Sequence, residues 1–232
     1  MRTTAATGIT IRVRGYLLTA VIGLQLTVAY FVAAYSVAGA AERIFSIAPR
    51  ESRMELLLYR EGVFSLLAHD HVLVAAEISG TILYDNEHLE KSSLRLSIPV
   101  RGIRVDLPED RKRLKLTGEL SKGDLREIRS IMLSPRVLDA ERFPTVEITS
   151  LAVGGTLGRL ILDLKWRIRG VERVLSATAE VTVSGNVLRA KGEMDLFQTH
   201  FGIKPYSTLL GAIAVKDRIR IKFDLVARAV HP

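Results

Sequence analysis

Leu160-Ile161-Leu162-Asp163-Leu164-Lys165-Trp166-Arg167-Ile168-Arg169 decides the fold class. Leu160, Leu162, Leu164, Trp166 and Ile168 occupy every second position, and charged residues fill most of the places between. A period of two belongs to a β-strand with one buried face and one wetted face. The same period recurs where Ile219, Ile221, Phe223 and Leu225 alternate with Arg218, Arg220, Lys222 and Asp224. It recurs again where Leu94, Leu96, Ile98 and Val100 alternate with Arg95, Ser97, Pro99 and Arg101. Pro99 has no N–H to donate, so it marks an edge or a bulge. Weaker alternation covers Met54–Tyr59, Ala76–Tyr84, Val146–Thr149 and Ala177–Val183, punctuated by turns at Gly154-Gly155, Gly170 and Ser184-Gly185-Asn186.

Short strands at such spacing predict a sandwich or a barrel. A meander of one-sided strands buries its apolar face by closing on itself, which also removes exposed edges. The expected fold is therefore all-β, a single antiparallel eight-stranded barrel over residues 43–230, of a size that can hold one ligand. Its inward set has few large aromatics, chiefly Trp166, Phe223 and Tyr84, and many small residues such as Ala177 and Ala179, which leans toward a cavity. One stretch departs from the period. Ser121-Lys122-Gly123-Asp124 resembles a capping box, and Leu125, Ile128 and Met132 follow at helical spacing until Pro135, so a short helix is expected near 121–134. Asp106 to Lys115 is charged and interrupted by Pro108, and reads as a surface loop.

Residues 1–40 lie outside this pattern. Arg2, Arg12 and Arg14 precede 27 consecutive uncharged residues, Gly15 to Ala41, for which an N-terminal apolar helix is expected. Small residues at Ala38 and Ala40 suit cleavage after Ala40, as in an export signal. The segment is also long enough for a retained membrane anchor, since about 20 apolar residues cross a bilayer. Either way the arginines stay cytoplasmic and the barrel is exported, periplasmic or otherwise extracytoplasmic. It is then soluble after cleavage, or tethered and in membrane contact through residues 15–41.

Composition narrows the functional classes. With 48% hydrophobic and 25% charged residues the chain is neither disordered nor a multi-spanning channel. The absence of cysteine excludes disulfides, thiolate metal sites and a cysteine nucleophile. A net charge of +8 falls to +5 once the three leading arginines are set aside, leaving 30 basic against 25 acidic residues. Without a phosphate-cradling glycine loop or a base-stacking aromatic stripe, nucleotide and nucleic-acid partners are not expected. Nucleophilic catalysis also lacks its parts: there is no G-x-S-x-G elbow, and the acidic pairs Glu109-Asp110 and Glu193/Asp195 fall on solvated stretches. A binding protein rather than an enzyme is expected, with no cofactor. Nothing in the sequence indicates an oligomeric state.

Several segments resemble, in order, the motifs of one family. Leu138-Asp139-Ala140-Glu141-Arg142-Phe143-Pro144-Thr145-Val146-Glu147-Ile148-Thr149-Ser150 is similar to the signature FDAxxYPTIxFxS of the YceI-like, polyisoprenoid-binding family. Leu164-Lys165-Trp166-Arg167-Ile168-Arg169-Gly170-Val171 resembles its GxLTIRGV strand and turn. Phe201-Gly202-Ile203 resembles its FGI motif, and Phe45-Ser46-Ile47-Ala48 with Ser52 resembles its first strand. The resemblance implies a lipocalin-like barrel over about residues 43–230, usually exported, whose apolar pocket holds an isoprenoid or other amphiphilic lipid. Taken with the apolar faces, it makes Leu162, Leu164, Trp166, Ile168, Val181, Val183, Ile221 and Phe223 the candidate ligand-binding residues. Ala48-Pro49-Arg50-Glu51 departs from the family, which usually carries Asp-Pro and a His there.

Ala68-His69-Asp70-His71 resembles a GHDH variant of the same family. Two histidines two apart project from one face of a strand, and with His200 beside Phe201-Gly202-Ile203 they read as polar residues at the pocket mouth. Histidines there can orient a head group, or alter its affinity as they change charge within the physiological range. The competing reading is an open three-imidazole metal site. A third alternative is a structural or interaction module whose core is filled by its own side chains.

Overall fold

The computed structural model describes residues 42–63, 69–208 and 212–230; the expected apolar helix of residues 15–41 lies outside them. Among the described residues there are twelve strands: β1 Glu42–Ile47, β2 Arg53–Glu61, β3 His71–Ala75, β4 Ser79–Asp85, β5 Ser93–Pro99, β6 Ile103–Val105, β7 Thr145–Thr156, β8 Arg159–Ile168, β9 Val171–Ser184, β10 Val187–Phe197, β11 Ser207–Thr208 and β12 Ile213–Ala229. The path β1-β4-β5-β7-β8-β9-β10-β12 closes through Phe45 opposite Ala229, giving an antiparallel eight-stranded barrel.

Three of the eight barrel strands are bent, and each continues into a second segment. β1 turns at Ala48–Ser52 into β2, β4 is the continuation of β3, and β5 passes through a single 3-10 turn at Val100–Gly102 into β6. The first bend is pinned by Ser52, whose hydroxyl accepts from the N–H of Val226 at 3.0 Å and donates to its carbonyl at 3.1 Å. β12 is long enough to pair β2 along Ala214–Asp224 and β1 along Ala227–Ala229. The second segments form a flared end, β12-β2-β3-β6. Pro99 closes β5, where the period predicted an edge or bulge.

The alternation of 160–168 is realised directly: Leu160, Leu162, Leu164, Trp166 and Ile168 are buried, while Ile161 is exposed. They join one continuous core with Phe45, Ile148, Leu188 and Ile221. Hydrophobic side chains of this kind contribute about 1.5–3 kcal/mol each when fully buried, which fixes the register of the barrel. The motif turns follow from local geometry. Arg169 and Gly170 both adopt positive φ, 53° and 77°, as a two-residue hairpin of right-handed twist requires. A Cβ at Gly170 would stand 2.8 Å from the Phe143 ring, so backbone conformation and packing both select glycine there.

Two helices flank the flared end. α2, Lys122–Leu133, starts with the expected capping box: Asp124 N–H donates to the Ser121 hydroxyl at 3.2 Å, and Ser121 N–H donates to the Asp124 carboxylate at 2.7 Å. Its Arg129 donates to the carbonyls of Arg101 and Ile103, both at 2.6 Å, beside the short strand β6. The helix thereby covers a sheet edge. The segment read as a charged surface loop is instead α1, Pro108–Arg113, with Pro108 in its first turn and Asp110 and Arg111 buried. Leu114 and Leu116 behind it pack on Leu57, Val72 and Val74, the outward side chains of β2 and β3. The buried carboxylates Glu55 and Asp110 pair with the more exposed Arg53 and Arg113.

Candidate functional site

Two cavities lie along the inner faces of the barrel. The inner chamber has a volume of about 70 Å³ and an almost wholly apolar lining that includes Met54, Ile148, Leu162, Leu164, Trp166, Val181, Met194 and Phe223. The end cavity is larger, about 340 Å³, and sits between α2 and the flared strands. Its lining combines Leu58, Leu73, Ile128, Ile131, Met132, Val137 and Val215 with His69, His71, Asp124, Glu127, Gln198 and Tyr206. Met54 of the first and Leu58 of the second lie on the same face of β2, about 13 Å apart at the usual rise per residue. Leu56 stands between them, opposite Ile221 in the register, and neither lines a cavity. Leu196 and Ile219 face each other one step further along β10 and β12 and also line neither.

Five of the eight candidate ligand-binding residues, Leu162, Leu164, Trp166, Val181 and Phe223, line the inner chamber. Ile221 is fully buried in the partition between the cavities. Ile168 is buried next to the β8–β9 turn and Val183 is half-buried near the β9–β10 turn, and neither faces the chamber. Period two identifies an inward face but not the height along the barrel at which space remains. Trp166 adds a chemical feature: its indole Nε1 is the only buried side-chain polar atom without a hydrogen-bond partner among the described residues. Tyr84 also borders the chamber, and burial pushes its phenol up from its ordinary value.

His69 and His71 line the end cavity together, whereas His200 does not. Its ring instead sits 5.2 Å from that of Phe197, on an exposed 3-10 turn. No cluster of three His, Asp or Glu side chains among the described residues could hold a metal ion. The three-imidazole site is thus not assembled, because the turn after β10 points His200 elsewhere.

His71 is held by a network that period and motif reading did not reveal. Its Nδ1 lies 2.6 Å from Oδ2 of Asp106, a residue 1% exposed. Asp106 also accepts from the N–H of Val72 at 3.0 Å and from Arg111 at 2.9 Å. Burial pushes the Asp106 carboxyl up, but hydrogen bonds from His71, Val72 and Arg111, with the nearby positive charge, outweigh it and hold the group below the usual carboxylate range. Arg111, itself 7% exposed, spends its other N–H groups on the carbonyls of Asp70, Thr117 and Gly118. Asp106 reaches this position with φ 47°, a left-handed conformation that Asp tolerates better than most residues. The available signal was Leu107-Pro108 directly after Asp106, a helix start rather than a loop. At the cavity edge, hydrogen bonds from Ser121 hold the Asp124 carboxyl below its ordinary range.

The family model described as YceI-like domain matches residues 46–227. The fold is similar to that of BcnA from Burkholderia cenocepacia, with 16% identity and a TM-score of 0.57, covering 78% of this chain and 98% of that one. It is similar to a polyisoprenoid binding domain from Saccharophagus degradans implicated in plant cell wall breakdown, at 10% identity and a TM-score of 0.55, covering 80% and 98%. It is also similar to the YCEI protein of Campylobacter jejuni, at 13% identity and a TM-score of 0.50, covering 69% and 85%. No curated protein sequence matches the chain.

Proposed function

The chain belongs to the YceI-like domain family, and from that membership we propose that it is a binding protein that holds a long-chain isoprenoid or other amphiphilic lipid inside its barrel, as carrier or sequestering agent. The observation that carries this reading is the inner chamber, whose lining is almost entirely apolar at the centre of an otherwise closed barrel. Each methylene buried there is worth about 0.8 kcal/mol, so a chain of about a dozen carbons gives useful affinity before any head-group contact. A relative described as a polyisoprenoid binding domain shares the fold and supports the choice of ligand class.

At about 70 Å³ the chamber is smaller than the roughly 150 Å³ cavity that accommodates benzene. A long chain therefore enters only by displacing lining side chains, and Met54 and Met194 are the adaptable ones, unbranched and with several rotatable bonds. The end cavity supplies the remaining room. Lipid extraction and mass spectrometry of protein purified from its native host tests the reading: a co-purified long-chain lipid is expected. Protein that emerges without lipid and binds no long-chain amphiphile overturns it.

The small chamber is also the one observation that favours a second reading, a module whose core is filled and whose role lies on its surface. Under that reading, Trp166 fluorescence stays unchanged with every long-chain amphiphile offered. Residues 1–40 we read as an export signal or membrane anchor that sends the barrel of residues 43–230 to the periplasmic or extracytoplasmic side. An exported product beginning near Ala41 identifies the signal, and one retaining residues 15–41 in the membrane fraction identifies the anchor.

A further inference from the structure

The end cavity differs chemically from the chamber below it. One wall is apolar, with Leu58, Leu73 and Met132, and the other carries His71 on a buried support. Because Asp106 is held as the carboxylate and accepts from Nδ1, that nitrogen carries a proton. In the neutral form of the ring Nε2 is then a hydrogen-bond acceptor, and the ring lines the cavity. The arrangement is costly to build without a use: two ions, Asp106 and Arg111, are taken out of water to hold one imidazole. Arg111 is spent on Asp106 and three carbonyls. The described residues that line the cavity include Asp124 and Glu127 but no Lys or Arg; Arg136, Arg169 and Lys204 line an adjoining pocket. An acceptor nitrogen in a cavity lined also by two carboxylates complements a ligand that donates hydrogen bonds and carries no negative charge.

We propose that the end cavity is a head-group subsite for amphiphiles whose polar end donates hydrogen bonds, such as long-chain alcohols and amines, with Nε2 of His71 as the acceptor, and that it disfavours phosphorylated chains. The inference rests on the reading that the barrel holds an amphiphile, and it names which one the end cavity selects. Asp106 and Arg111 are positioning residues. They fix the tautomer and orientation of His71 and do not themselves meet the ligand.

The test uses the full chain at about pH 8, where an ordinary imidazole is neutral, with four probes of equal chain length: decanol, decylamine, decyl methyl ether and decyl phosphate. Decanol and decylamine are expected to bind about tenfold tighter than the ether, the effect of one hydrogen bond, and the phosphate is expected to bind weakest. His71→Phe keeps a ring in place and is expected to abolish the preference while Trp166 fluorescence reports an intact fold. Independently of any variant, 15N spectra of histidine-labelled protein are expected to show the proton of His71 on Nδ1. A proton on Nε2, a preference that survives in His71→Phe, or a phosphate that binds as tightly as the alcohol overturns the proposal. Four probes that bind alike overturn the subsite and leave the chain-holding function standing; four probes that all fail to bind overturn both.

Discussion

Trp166 and Asp106 face opposite electrostatic situations in the same barrel. Trp166 is 3% exposed and its Nε1–H meets no acceptor, so the protein bears the desolvation of that group, about 1–3 kcal/mol, without return. Trp166→Phe removes the donor and keeps most of the ring, and urea unfolding is expected to show stability unchanged or raised by about 1 kcal/mol. Trp166→Ala is expected to cost about 3–5 kcal/mol if the core is filled, and less if the residue already faces usable space. Asp106 is satisfied by three donors. Asp106→Ala leaves Arg111 buried with one fewer counter-charge and is expected to cost about 3–5 kcal/mol in the same assay. The pH dependence has a definite sign. A carboxyl whose folded pKa lies below its unfolded value of about 3.9 contributes stability that is fully present above that value. That stability is lost as pH falls through the folded pKa. Wild-type stability is therefore expected to drop below about pH 4 more steeply than that of Asp106→Ala. Equal slopes would show that Asp106 is not the group being protonated.

At the level of elements, straight strands were legible and bends were not. The inward positions of β8 stand out because one uninterrupted period of two runs from Leu160 to Ile168. In β2 the inward residues Met54, Leu56 and Leu58 alternate with Leu57 and Tyr59, which are also apolar because α1 and its trailing loop cover the outside of the sheet. Two-sided burial erases the alternation, and the bend at Ala48–Ser52 divides one barrel strand into two short ones. The same effect hid the support of His71. Asp106 and Arg111 sit in a run of charges, and sequence alone does not distinguish charges that pair with each other from charges that meet water. His69 and His71 do line one cavity as a pair, but not through the strand period, since β3 begins at His71 and His69 lies in the connection before it; the direction of His200 depends on a turn. Turn chemistry makes the sharpest prediction at this scale. Gly170→Ala places a Cβ against the Phe143 ring in a left-handed conformation that itself costs about 1–2 kcal/mol. Unfolding is expected at correspondingly lower urea, whereas Gly158→Ala, where a Cβ meets no neighbour within 4 Å, loses only the backbone contribution.

The described residues form a barrel whose free space is divided. Leu56 and Ile221 stand between the inner chamber and the end cavity, and Ile221 is fully buried. Such a partition sets an upper limit on the chain that binds without rearrangement: once the end cavity is full, further methylenes must push the partition aside. For linear alcohols of increasing length, affinity is expected to rise by about 0.8 kcal/mol per methylene and then level off. Ile221→Ala removes part of the partition, and its cost of about 2–5 kcal/mol in stability measures how tightly the two cavities are kept apart. In that variant the affinity is expected to go on rising for several methylenes beyond the wild-type plateau, because the chain passes from the end cavity into the chamber. A plateau at the same length in both proteins would show that the chamber is not in line with the end cavity. The chain would then have to reach the apolar interior by separating strands rather than by displacing Ile221.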